Sequence, residues 1–220
     1  EFQNLPRKFK TAISGNARQD VVHEINDLAF IGVEHPELGP GFECYVGGGL
    51  STNPMLAQSL GAFVTLEQVP DVWANVVRIF RDYGYRRLRN RARLKFLVKE
   101  WGVEKFRRIL EEDYLGYALA DGPKAPNNLV DRDHIGVHEQ KDGNVYIGVK
   151  PTLGHMSGEQ LIALADLAER YGVTDLRFTP FKEVLLLGVE PEDVEKLQSD
   201  LEQMGLYSKP SEFRRGLLSC

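Results

Sequence analysis

The sequence predicts an α+β protein of two units joined by a linker, and three observations carry that prediction. A strand-like run ending in three glycines precedes three amphipathic segments of helical spacing. A stretch without periodicity, holding Gly122-Pro123, Pro126 and Asn127-Asn128, then interrupts the chain. Beyond it, over about 75 residues, the order reads β-β-α-β-β-α, which suits helices on one face of an antiparallel sheet. The expected boundaries are 1–120 for the first unit, 121–133 for the linker and 134–208 for the second unit. Residues 209–220 are expected to begin a further domain.

Taken in order, Lys10 to Ile13 reads as extended, and Val21 to Val33 mixes helical and strand signals. Phe42-Glu43-Cys44-Tyr45-Val46 alternates into Gly47-Gly48-Gly49, a strand ending in a loop. Asn53-Pro54 suggests an N-cap with Pro in the first helical turn. Pro70-Asp71 opens a helix that places Trp73, Val76, Val77 and Phe80 on one face and that Gly84 closes. Asn90 to Trp101 is expected as the next helix, stopped by Gly102, and Val103 to about Leu115 as the third.

In the second unit, Ile135 to Gln140 and Val145 to Val149 flank Asp142-Gly143, a hairpin signal. Ser157 with Gln160 predicts a capping box for a helix running to Tyr171. Thr174 to Phe178 and Glu183 to Leu187 form a second strand pair. Pro191 to Met204 is a final amphipathic helix with Val194, Leu197 and Leu201 inward, ended by Gly205.

The net charge of -5 argues against a surface devoted to nucleic acid. No run approaches the roughly 18 apolar residues of a membrane-spanning helix, and the N-terminus lacks the basic and apolar regions of a signal peptide. Two cysteines far apart, Cys44 and Cys220, are no disulfide framework, so a reducing cytoplasm is expected. A chain that stops on Cys220 directly after Gly216-Leu217-Leu218-Ser219 reads as cut.

Three segments have residues suited to chemistry. In Leu5-Pro6-Arg7-Lys8-Phe9-Lys10-Thr11, an extended backbone would put Lys8 and Lys10 on one side and Arg7 and Phe9 on the other. Two ammonium groups about 7 Å apart suit a small oxyanion, whereas the guanidinium of Arg7 suits a carboxylate. The bland alternative is a solvated basic edge. Val46-Gly47-Gly48-Gly49-Leu50-Ser51 fits close backbone approach to a ligand, an anion nest of amides, or a tight structural turn. It is neither a P-loop nor a dinucleotide motif. Arg86 to Arg108 is crowded with Arg and Lys, which is either a solvated helix face or a docking surface for an acidic protein or nucleic acid. The five histidines show no metal-ligand spacing, and no Ser/His/Asp arrangement is evident.

These runs, together with His23-Glu24-Ile25-Asn26-Asp27, Asn90-Arg91-Ala92-Arg93-Leu94-Lys95-Phe96, Arg177-Phe178-Thr179-Pro180 and Arg214-Arg215-Gly216-Leu217-Leu218-Ser219-Cys220, resemble consecutive segments of the sirohaem- and iron–sulfur-dependent sulfite/nitrite reductases. The likeness covers essentially the whole chain and is nearest to the ferredoxin-dependent bacterial type. It implies half of a sirohaem-binding domain followed by a ferredoxin-like half-domain that shields the site. It also implies six-electron reduction of sulfite to sulfide, or of nitrite to ammonia, at a sirohaem linked to a [4Fe–4S] cluster by a shared cysteine thiolate.

By that resemblance Lys8 and Lys10 hold the substrate anion, Arg7 lies close to the haem carboxylates and also, with Lys8, contributes to cofactor binding. Cys220 matches the first of four cluster ligands. Lys at position 10 is commonly found in the sulfite-reducing members, and Asn in many plant-type nitrite reductases, so sulfite is expected. Ferredoxin is the expected electron donor, with Arg86 to Arg108 the expected docking region. Cys44 matches no cluster position, and four ligands are needed, so the chain alone is expected to be inactive. The competing class is a non-enzymatic basic module for an acidic protein or nucleic acid. A reductase needs Lys8 and Lys10 facing one pocket with Arg7, and a binding platform does not.

Overall fold

The computed structural model describes residues 2–16, 18–127 and 132–219, and the chain divides into two compact units, Glu1–Asp131 and Arg132–Cys220. In the first, the strands β1 (Thr11–Ser14), β2 (Leu28–His35), β3 (Gly39–Val46), β4 (Gln58–Thr65) and β5 (Ala120–Asp121) make one sheet in the order β1-β2-β3-β4-β5. β1 runs parallel to β2, with Thr11 beside Leu28, and the other neighbours are antiparallel. A 3₁₀ turn at His23–Ile25 leads into β2. The sequence from Val21 therefore mixes signals because it holds a turn followed by a strand.

Helices α1 (Val69–Tyr83), α2 (Leu94–Trp101) and α3 (Val103–Ile109) follow, with a π-helical turn at Leu110–Leu115. They pack on one face of the sheet: Leu28, Phe30, Val46 and Val64 meet Val76, Ile79 and Phe80 of α1, Leu94 and Val98 of α2, and Phe106. Gly102 takes φ +76° between α2 and α3, a left-handed value that a side chain would strain. Gly84 is the C-cap of α1, as its position after Tyr83 predicts.

Three expectations need correction here. Asn53-Pro54 starts no helix, because the backbone is engaged otherwise: Gly49 and Met55 exchange N–H···O bonds at 2.9 Å, and β4 follows at Gln58. The second helix begins at Leu94 rather than Asn90. Arg89–Arg91 is a 3₁₀ turn, and Arg93 is extended at φ -128°, ψ 150°. The expected linker also starts inside the first unit. Ala120 and Asp121 pair with Phe63 and Ala62 of β4, and Gly122 lies against Phe63. The Ala125 N–H donates to the buried Glu43 carboxylate, while Gln19 donates to the Pro126 carbonyl. This segment ties itself to the sheet through specific polar contacts, which an aperiodic Gly/Pro stretch does not announce. Its residues 128–131 lie outside the described residues.

The second unit is the expected hairpin–helix–hairpin–helix. β6 (Gly136–Glu139) and β7 (Val145–Pro151) pair antiparallel, with Gly143 at φ +90° in their turn. α4 (Gly158–Arg170) is opened by a full Ser157/Gln160 capping box. β8 (Asp175–Phe178) pairs with β9 (Val184–Val189), and α5 (Val194–Gln203) follows a 3₁₀ turn. β7 pairs with β9 along one edge and with β6 and the short β10 (Leu206–Tyr207) along the other. The core joins Ile147, Val149, Val184 and Leu186 to Leu164, Leu167, Leu197 and Leu201. A short α6 (Glu212–Gly216) comes last. No helix among the described residues is long and apolar enough to cross a membrane.

Candidate anion site

The candidate site forms where residues 5–10, the turn before β2, the loop after β3 and the start of α2 meet. Phe9 turns into the core, 5.9 Å from the Phe80 ring and 6.5 Å from that of Trp73, and so fixes the run on which the cations sit. Residues 5–10 form no regular strand, so the expected alternation fails for Arg7. Instead of siding with Phe9, it lines a cavity of about 90 Å³ together with Lys8, Asn90, Arg93, Lys95 and residues 50–53. Arg7 also donates to the Arg89 carbonyl at 3.0 Å.

Lys10 adjoins this group without lining the cavity. Its main-chain N–H donates to Asp27 at 2.9 Å, and its carbonyl accepts from Leu28 as β1 begins to pair with β2. The Lys10 ammonium is held below the ordinary lysine value, first by burial, then by the positive charges of Arg93 and Lys8, against the opposing pull of Asp27. A lysine in such company sheds its proton more readily than one in water.

Asp27 is fully buried and takes both Nε and Nη2 of Arg93, at 3.0 and 2.7 Å. A charge-assisted fork of this kind is stronger than neutral hydrogen bonds and fixes the geometry of both partners. Lys95, 3% exposed, reaches three carbonyls with its Nζ: Gly49 at 3.2 Å, Leu50 at 2.7 Å and Asn53 at 2.5 Å. Burial, then Arg93 and Arg7, lowers its pKa, and Asp27 works the other way. Arg93 and Lys95 were expected within a docking face; their burial removes them from it. Their signal lay in the sequence, since both fall among apolar neighbours (Ala92, Leu94, Leu97) that a solvated face would not need. Arg107 is likewise engaged, by Glu111, Asp121 and the Gly61 and Leu119 carbonyls. Arg86, Arg87, Arg89, Arg91, Lys99, Lys105 and Arg108 remain exposed.

The glycine run is explained by close approach. The Gly47, Gly48 and Gly49 N–H groups donate to the carbonyls of Asp27, Asn26 and Met55, at 2.8, 2.9 and 2.9 Å, so of the readings the sequence leaves open these three amides serve the structural turn and not an anion nest. A Cβ on Gly48 would fall 2.4 Å from the Glu24 carbonyl oxygen, and Gly47 holds φ +85° against Val98. The glycines pin this loop onto the turn before β2.

Cys44 sits at 0% exposure in the sheet core, its thiol pushed up to about 12 by burial and by Glu43. It is a neutral core thiol, unsuited to ligate metal as a thiolate. Cys220 lies outside the described residues. With two cysteines in the sequence and four thiolates needed for a [4Fe–4S] cluster, this chain by itself does not fit one. Among the described residues no cluster of His, Cys, Asp and Glu could hold a metal ion.

Comparison with known proteins places this geometry. Residues 1–118 match the family described as nitrite and sulphite reductase 4Fe-4S domain, and residues 138–204 match the nitrite/sulfite reductase ferredoxin-like half domain. The chain belongs to the nitrite and sulphite reductase family. Over all 220 residues it is 54% identical to sulfite reductase [ferredoxin] 2 of Mycolicibacterium paratuberculosis and to sulfite reductase [ferredoxin] of Mycobacterium tuberculosis, spanning 39% of the length of each. The assimilatory ferredoxin-dependent nitrite reductase of Haloferax mediterranei is 33% identical over 235 aligned positions, with 40% of its length covered. The solved structure of the Mycobacterium tuberculosis NirA protein superposes with a TM-score of 0.94 at 54% identity, over 98% of this chain and 39% of that one.

Proposed function

We propose that this chain is the anion-binding portion of an assimilatory, cytoplasmic, ferredoxin-dependent sulfite reductase that reduces sulfite to sulfide. The observation that carries this reading is the gathering of Arg7, Lys8 and Arg93 around one small cavity, with Lys10 beside it, in a chain of this family. Asp27 is engaged by Arg93 and by the Lys10 N–H, which leaves the ammonium groups of Lys8 and Lys10 for an oxyanion. In this reading Lys8 and Lys10 hold the anion and favour the charge that develops as its S–O bonds break, and Arg7 faces the carboxylates of the tetrapyrrole. A cationic rim of this kind fits a carboxylate-bearing sirohaem, which when bound supplies the iron that takes the substrate. Cys220 would be the first of four cluster ligands, the others coming from elsewhere in the whole protein, so this chain alone is expected to be inactive.

Sulfite is favoured over nitrite by the names of the relatives at 54% identity and by Lys10; nitrite reductases stand at 33–34%. Ferredoxin as donor would dock on the exposed cations between Arg86 and Arg108, a positive face for an acidic protein. The test is the full-length protein. As purified it should absorb in the visible as a sirohaem protein and consume sulfite with reduced ferredoxin, and Lys8→Met should abolish sulfite reduction, the turnover being counted per sirohaem retained. A full-length protein with no tetrapyrrole absorbance and no sulfite consumption would overturn the reading.

A further inference from the structure

We infer that Lys95 is a positioning residue: its ammonium organises the loop 49–53 by gathering three main-chain carbonyls, and does not itself meet an anion. An ammonium has three donors, and three acceptors converge on this one, the Gly49, Leu50 and Asn53 carbonyls at 3.2, 2.7 and 2.5 Å. The Gly49 carbonyl also accepts the Met55 N–H, at 2.9 Å. The loop is joined to the rest of the unit by the Gly49–Met55 bridge at its base, and Leu50, Ser51, Thr52 and Asn53 are exposed on its outer side. A compact point charge with three rotatable donors suits this task, and the fixed plane of a guanidinium is a poorer match to three carbonyls converging on one point.

The placement gives the clamp its consequence. Residues 50–53 form one wall of the 90 Å³ cavity that Arg7 and Lys8 line, and Asn53 also lines the two open clefts, of about 490 and 520 Å³, on its other sides. Lys95 therefore sets the distance between that wall and the cations opposite. That the wall bears on anion binding rests on the function proposed above; the clamp itself does not.

The experiment compares wild type, Lys95→Met and Lys95→Arg in the full-length protein by hydrogen–deuterium exchange and by steady-state kinetics with sulfite. In Lys95→Met, the amides of Met55 and Ala57, which donate to the Gly49 and Glu24 carbonyls at the base of the loop, should exchange about tenfold faster or more, the scale of one lost charge-assisted hydrogen bond, while those of α1 keep their rates. The KM for sulfite should rise more than kcat falls, and Lys95→Arg should restore neither. An anion ligand would behave differently, because a guanidinium binds oxyanions well. Unchanged loop exchange in Lys95→Met, or a KM restored by Lys95→Arg, overturns the inference. If Lys95→Met does not accumulate folded, Lys95→Gln, with two donors and no charge, is read by the same criteria. The exchange measurement needs no turnover, so a protein that reduced neither anion would refute the proposed function and leave this test standing.

Discussion

Arg93 closes two donors on Asp27, at 3.0 and 2.7 Å, and the same carboxylate accepts the main-chain N–H of Lys10 at 2.9 Å. One buried side chain thus ties the start of α2 to the start of β1, the two segments that present the cations. The extended backbone at Arg93, which delays α2 until Leu94, is the conformation from which its guanidinium meets Asp27.

Removing one partner of such a pair leaves the other charge buried and uncompensated, at a cost of about 3–5 kcal/mol. Asp27→Ala is therefore expected to lower the unfolding free energy of the full-length protein by that order, measured by urea titration of the transition that contains this unit. A loss below about 1 kcal/mol is what a solvated pair gives, and would contradict the burial of this one.

Cys44 makes a second expectation. Its thiol rises from an ordinary value of 9.0 to about 12, chiefly through burial. A raised folded-state value means that the fold favours the neutral thiol. The stability this contributes is complete below pH 9 and is lost as pH climbs toward 12. At pH 8 an alkylating reagent should leave Cys44 unmodified in native protein and label it in urea, as read by peptide mass mapping. Rapid native labelling would show the sheet core opening at β3.

The basic segment Arg86 to Arg108 divides between structure and surface, and under the proposed function the exposed part would receive the electron donor. Charge reversal at Arg87 and Arg91, both exposed, should slow ferredoxin-driven turnover of the full-length enzyme most at low ionic strength, where long-range attraction is least screened. A small-molecule reductant should support an unchanged rate. Equal rates with ferredoxin in wild type and variant would leave that segment a solvated face.

Much of the second unit was legible in the sequence because its signals are local. Asp142-Gly143, the Ser157/Gln160 box and the apolar run within Glu183 to Leu187 each act within a few residues. The first unit was less so. β4 and β5 are held by pairing with partners distant in sequence, and the loop at Asn53-Pro54 is shaped by Lys95, more than 40 positions away. Arg7, Lys8 and Lys10 stood out as a basic run. Asp27, Arg93 and Lys95 come together only when the fold joins three separate segments; the apolar neighbours of Arg93 and Lys95 hint at burial, but no local pattern names Asp27 as the partner.

The last expectation rests on the proposed function and concerns the anion that Lys10 would meet. Sulfite is partly a dianion near neutral pH, with its charge spread over three oxygens, whereas nitrite is smaller and singly charged. Under that proposal a second ammonium beside Lys8 would stabilise sulfite more, since charges a few ångströms apart in a partly desolvated pocket are strongly coupled. Lys10→Asn in the intact enzyme should cut kcat/KM for sulfite by about tenfold or more beyond its effect on nitrite, at about 1.4 kcal/mol per decade. The lowered pKa of Lys10 adds a pH dependence: its ammonium is lost at a lower pH than that of an ordinary lysine, so in wild type the preference for sulfite should fade as pH rises toward that value. In the Asn variant this fading should be absent. If Lys10 serves only to balance carboxylates of the cofactor, both activities fall together and the pH profile of the ratio is flat. Equal losses on the two anions would refute the choice of sulfite while leaving the membership of the family untouched.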